Sequence, residues 1–149
     1  MSQMHYNIRD TDWEYLSSNV PMRDVRNCPN LPWNREGLSN NKDLTLDDVD
    51  NLIMPNATKA WDWRYISMFI SMDEVRNNPN RRWDKDGMSF NRNITLDDVD
   101  NLIMPNAIYK WNWRYISKYI DIEEVINDPN RTWNREGLSC NEGDRTMDG

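Results

Sequence analysis

Two carboxylate pairs, Asp47-Asp48 and Asp97-Asp98, and the run Asp84-Lys85-Asp86-Gly87 come nearest in this chain to a spacing that does chemistry. Adjacent carboxylates can divide general acid and base work when their surroundings push their pKa values apart. Here, however, each pair follows a Thr at the start of an apolar helical stripe, where negative charge complements the helix macrodipole. A structural role at a helix start is therefore the stronger reading. Asp84 to Gly87 has the alternating carboxylates and the glycine of a calcium loop. With Gly87 as the sixth position, the first is Arg82 and the twelfth is Asn93, and the related copies put Asn34 and Asn134 in place of Asp84. The ligand set fails at both ends.

His5 is the only histidine and lies outside the repeats described below, so imidazole catalysis and His-based metal sites have almost nothing to build with. With only 5 glycines the chain has no P-loop, no G-x-G-x-x-G and no G-x-S-x-G. No catalytic residue, cofactor or metal is expected. Cys28 and Cys140 lie far apart, at positions that other repeats fill with Asn78, Asp128, Asn40 and Phe90, which reads as two free thiols.

The 149 residues carry 18 Lys and Arg against 25 Asp and Glu, a net charge of -7 that repels phosphate backbones and anionic lipid surfaces. Neither nucleic acid nor membrane is an expected partner. No apolar run approaches the length of a membrane span, and the start MSQMHYNIRDTD has no signal-peptide profile, so a soluble intracellular protein is expected. The 8 Trp and 6 Tyr set the chain apart from disordered acidic sequences.

The elements that must position these residues are set by repetition. The block TLDDVDNLIMPNA occupies Thr45 to Ala57 and recurs unchanged at Thr95 to Ala107, an offset of 50. The same offset superposes Trp61 to Ser67 on Trp111 to Ser117, and twice that offset superposes Trp33 to Ser39 on Trp133 to Ser139. Inside each 50-residue unit, an apolar-Ser pair recurs at Ser17, Ser39, Ser67, Ser89, Ser117 and Ser139 with alternating spacings of 22 and 28. Each unit is thus two related halves. Half-units begin near residues 11, 33, 61, 83, 111 and 133, between an arm at 1–10 and a tail at 140–149, and 11–139 reads as one repeat domain.

Each half-unit predicts two short helices. Ser71 with Glu74 has the form of a capping box, Asp121 with Glu124 resembles it, and Thr45 with Asp48 and Thr95 with Asp98 are shorter versions. Hydrophobic staples pair Ile70 with Val75, Leu44 with Val49, Ile94 with Val99 and Ile120 with Val125. In the first copy Pro21 takes the cap position. Leu46, Val49 and Ile53 form one apolar stripe, Asp47, Asp48 and Asp50 face away, and the helix is expected to run to Met54 before Pro55. The other helix carries Trp61, Tyr65 and Met68 on one side and Trp63, Ile66 and Ile70 on another. Helices this short are unstable alone, so an all-α, tandem-repeat helical solenoid is the expected fold.

The pattern W-x-W-x-x-[LI]-S, an apolar staple, a [ST]-x-x-[DE]-V helix, Pro-Asn and a further Trp resembles the Trp-rich short repeats of proteins from giant DNA viruses of amoebae. The resemblance covers about Asp12 to Ser139. It implies a viral origin, in host cytoplasm or virion, and an array architecture without assigned chemistry. The chain departs from that pattern by adding NLIMPNA to every second half-unit, and by placing Gly37, Gly87 and Gly137 where other half-units have Tyr15, Tyr65 and Tyr115.

Two functions follow as expectations. In the first, the chain is a non-catalytic scaffold for a protein partner or for self-association. Trp33, Trp61, Trp63, Trp83, Trp111, Trp113 and Trp133, with Val49, Val75, Val99 and Val125, pack the repeats, and Asp47, Asp48, Asp97 and Asp98 offer a recurring acidic surface. In the second, exposed Trp and Asn bind a ligand such as a carbohydrate. Exposure of the indoles separates the two.

Overall fold

A computed structural model describes residues 9–141, so His5, most of the arm and nearly all of the tail lie outside the described residues. The described residues are mostly helical, with no strand among them. The chain divides into two compact units, Met1–Asp62 and Trp63–Gly149. That boundary falls within the Trp61-Asp62-Trp63 motif, where the sequence carries no break.

The first unit holds α1 (Asp10–Asn19), α2 (Met22–Asn27), α3 (Arg35–Ser39) and α4 (Leu46–Asn51). Its core is Met22, Val25, Trp33, Leu38, Leu44, Leu46 and Met54, all buried. The helix α2 starts directly after Pro21, whose φ of -61° suits a helix entry, and no side chain caps it. The second unit repeats the plan with α5 (Trp63–Phe69), α6 (Met72–Asn77), α7 (Lys85–Met88) and α8 (Leu96–Asn101), and continues with α9 (Trp113–Tyr119), α10 (Ile122–Asn127) and α11 (Arg135–Ser139).

Serine explains the half-repeat. In succession, the hydroxyl oxygens of Ser17, Ser39, Ser67, Ser89 and Ser117 accept the backbone N–H of Asn34, Asp62, Asp84, Asn112 and Asn134, at 2.8 to 3.0 Å. All five serines are buried. Each half-unit therefore satisfies the backbone amide with which the next one begins, a donor that burial would otherwise leave unpaired. A second link runs through Asn41, Asn91 and Asn141. Each donates its side-chain amide to two carbonyls of the preceding half-unit, those of Ser17 and Val20, Ser67 and Ile70, and Ser117 and Ile120.

The glycines that replace tyrosine permit close backbone contact. A Cβ on Gly87 would stand 2.4 Å from the carbonyl oxygen of Arg64, and one on Gly37 would stand 2.4 Å from that of Glu14. The short helices α7 and α3 thus lie against the backbones of α5 and α1, an approach that any side chain would prevent.

Three local expectations need correction. The helices α4 and α8 end at Asn51 and Asn101, three residues before Met54 and Met104, because the backbone becomes extended at Leu52 and Leu102. Ile53 and Ile103 therefore leave the apolar stripe and are 79% exposed, while Met54 and Met104 turn into the core. The helices α5 and α9 begin at Trp63 and Trp113, so Trp61 and Trp111 precede the helices and share no helical face with Tyr65 or Tyr115. Of the four expected capping boxes, those of Thr45 with Asp48 and Thr95 with Asp98 are complete, whereas the Ser71 hydroxyl accepts from Asp73 and the Asp121 carboxylate from Glu123. Glu124 instead accepts from the backbone N–H of Leu96, at the first turn of α8.

Candidate functional site

The helix-start carboxylates divide into two kinds. Asp47 and Asp97 are exposed, and each accepts from the amide of Asn51 or Asn101 one turn on, at 2.8 Å. Asp48 and Asp98 do not belong to an exposed acidic surface, because their side chains are 4% accessible. Each closes a capping box and is gripped by a guanidinium from the preceding half-unit. Arg26 donates Nε and Nη2 to the two Asp48 oxygens at 2.7 Å, and Arg76 does the same to Asp98 at 2.8 Å. Burial alone would raise these two carboxyls, but the arginine and the threonine cap outweigh it and hold both below the ordinary carboxylate value. A carboxylate kept ionised and saturated with donors is a poor proton carrier. The Arg-to-Asp separation of 22 residues equals the short half-unit spacing, a signal that was present in the sequence.

Asp84 is likewise occupied. It is buried, and its Oδ1 accepts from the Gly87 amide at 2.8 Å, which makes it the cap of α7. Among the described residues no group of three or more His, Cys, Asp or Glu is placed to hold a metal ion. Cys28 and Cys140 are free and exposed. Among the described residues no helix is long and apolar enough to cross a membrane.

The indoles fall into three settings. Trp33 and Trp83 are buried, and their ring N–H groups donate to the carbonyls of Cys28 and Asn78 at 2.8 and 2.9 Å. Trp133 makes the same bond to Asp128 but is only half-buried. Trp13, Trp63 and Trp113 meet these three edge-on, with ring centroids 5.3, 5.5 and 5.8 Å apart. Trp61, Trp63, Trp111 and Trp113 are half-buried. Of the valines, Val75 is buried and Val49, Val99 and Val125 are half-buried. Val99 and Val125 pack on the cluster of Leu96, Ile116 and Ile120, as do Trp111, Trp113 and Trp133.

The second unit also has an open cleft of about 580 Å³, in front of the start of α9. Its aromatic wall is Trp111 with Tyr109, which is 70% exposed and held at a φ of 63°. The return of the chain fixes this segment: Ile108 exchanges backbone hydrogen bonds with Trp83 and Lys85 in an isolated parallel bridge, and Tyr109 follows directly. Asp86 lines the cleft, accepting from the Asn112 side chain at 2.9 Å and from Arg64. Burial would push the Asp86 carboxyl up, but the hydrogen bonds from Asn112 and Arg64 hold it below its ordinary value. Lys110 and Arg114, both exposed, also line the cleft, with Trp113 and Asn134. The sequence reading singled out Trp111 here but missed Tyr109 and Lys110, which lie outside the helices and differ from their counterparts Lys59 and Ala60. No protein-family model, no curated protein and no solved structure matches this chain.

Proposed function

We propose that the protein is a non-catalytic repeat scaffold that engages a protein partner through the same loop in each of its copies. The observation that carries this reading is the exposure of Ile53 and Ile103, each 79% accessible, in the loop that ends TLDDVDNLIMPNA. An isolated exposed isoleucine is ordinary. Two in the same sequence block, each preceded by an exposed Asp47 or Asp97 at the start of its helix, give an apolar anchor with a nearby acidic residue twice over, while Asp100 is held by Arg131. Interfaces take much of their energy from such anchors and their steering from such charges. A partner with two sockets and nearby basic residues gains by avidity.

The repeated Ser-to-amide links support an array whose halves serve as structural steps, and the use of Asp48, Asp84 and Asp98 as caps supports the absence of catalysis. The net charge of -7 sets the protein against nucleic acid. The test is a pull-down at low and high salt with the parent protein and with Ile53→Asp and Ile103→Asp. A partner retained by the parent at low salt, lost by the double variant and halfway lost by each single variant supports the scaffold. A strictly monomeric parent that retains no salt-sensitive partner, or a partner indifferent to both substitutions, overturns it.

A further inference from the structure

We infer that the cleft at the start of α9 binds a saccharide bearing a single carboxylate, such as a uronic acid unit. The inference goes beyond the scaffold reading and rests on different residues. A sugar ring offers an apolar face and a rim of hydroxyls that both donate and accept, so its site needs an aromatic plate beside donors and acceptors in a fixed arrangement. Trp111 supplies the plate: it packs on the Leu96, Ile116 and Ile120 cluster, and Lys85 stands 5.7 Å from its ring centroid. Tyr109 stands beside it, 70% exposed. Asp86 is held by Arg64 and Asn112 and retains lone pairs to accept from hydroxyls, while Asn112 and Arg64 fix its orientation.

The charge of the ligand follows from the cations that line the cleft. Lys110 is exposed, and Arg114 has only a loose partner in Glu136, 3.9 Å away with both side chains more than 60% exposed. A carboxylate displaces Glu136 readily and gains a two-pronged bond from the guanidinium. A polyanion is disfavoured, because Asp86 lines the cleft and the whole protein carries -7. The fold does not dictate this chemistry. At the matching register of the preceding copy, Arg64, Asp86, Lys110 and Asn112 are replaced by Glu14, Glu36, Ala60 and Asp62, which reverses the sign of the charge while the Trp stays.

The experiment is a titration of the full chain followed through its indole and backbone N–H resonances, with glucuronic acid, glucose and inorganic phosphate as separate probes. Glucuronic acid is expected to saturate with a dissociation constant on the order of 1 mM, as befits one small ring in an open cleft. It should move the resonances of Trp111 and of residues 109–114. Glucose should bind about tenfold more weakly, and phosphate should leave the Trp111 indole unmoved. Lys110→Ala, which installs the residue of the other copy, and Arg114→Gln should each weaken glucuronic acid about tenfold with an unchanged thermal midpoint, and should leave glucose binding as it was. No movement of the Trp111 resonance with glucuronic acid, equal binding of glucose and glucuronic acid, or an unaltered affinity in both variants would each overturn the assignment. None of these outcomes depends on the isoleucine loops, so the scaffold reading stands or falls separately.

Discussion

Lys59 and Tyr109 occupy the same register of their repeats and hold nearly the same positive φ, 65° and 63°. Around that shared backbone the side chains differ: residues 59–62 are Lys-Ala-Trp-Asp and residues 109–112 are Tyr-Lys-Trp-Asn. Elsewhere the copies agree at a set of side chains that complete backbone hydrogen bonds between or within half-units. Ser17, Ser67 and Ser117 accept an amide, Asn41, Asn91 and Asn141 donate to paired carbonyls, and Asp48 and Asp98 cap a helix and hold an arginine. The contrast teaches which positions the architecture demands. Buried polar groups leave no alternative because an unmade bond there is expensive, whereas the segment before α9 meets solvent and accepts new chemistry at little structural cost.

Substitutions should reproduce that contrast as a graded series. The largest effect belongs to Trp83→Ala, which empties a fully buried site and should cost about 3–5 kcal/mol. Trp133→Ala removes the same indole bond from a half-buried setting, and chemical denaturation should show it costing about half as much. Equal losses would mean that burial does not distinguish the copies. Next comes Gly87→Ala, whose methyl would meet the Arg64 carbonyl backbone; overpacking of this kind costs about 1–3 kcal/mol, readable as a lowered melting temperature.

Arg76→Met should come fourth. It leaves Asp98 buried with only its threonine cap, and because Arg76 is itself partly exposed the loss should be about 2 kcal/mol, below that of a fully buried pair. The pH dependence follows from the same pairs. Asp48 and Asp98 have folded pKa values below the ordinary carboxylate value, so their contribution is complete above about pH 4 and is lost as pH falls through the depressed values. Denaturation midpoints measured from about pH 5 downward should therefore decline, and more shallowly in Arg76→Met. The smallest effect is expected of Tyr109→Lys with Lys110→Ala, which restores the other copy's residues on an unchanged backbone: stability should move by less than about 0.5 kcal/mol. A larger loss would show that the exposed segment carries packing after all.

Much of the fold was legible because its signals are periodic. The half-unit spacing marked the helix pairs, and Thr45 with Asp48 marked a cap. What escaped were bonds that join residues 17 to 28 positions apart, such as Ser17 to Asn34 and Arg26 to Asp48, since pattern reading scores neighbours along one helix. The exposed acidic surface was half misread for the same reason: helical phase alone turned Asp48 outward, and only the arginine from the preceding half-unit explains why it is buried. Ile53 was assigned to a helical stripe because Pro55 suggested a late helix end, but the chain had already turned extended at Leu52. The cleft was invisible at the sequence level, since it combines residues from α5, α7, the segment before α9 and α9 itself, and its repeated indoles, Trp111 and Trp113, read as core.

The serine that receives the next half-unit's amide makes each half-unit a coupling with a socket at one end and a plug at the other. Such a coupling leaves the number of copies free. Splicing in another whole 50-residue copy preserves every joint, because each new socket meets the plug it already fits. Removing a single half-unit does not, since only the long half returns through Thr58 or Ile108 to pair with its own Trp33 or Trp83 segment. By these joints, copies are added or removed two half-units at a time.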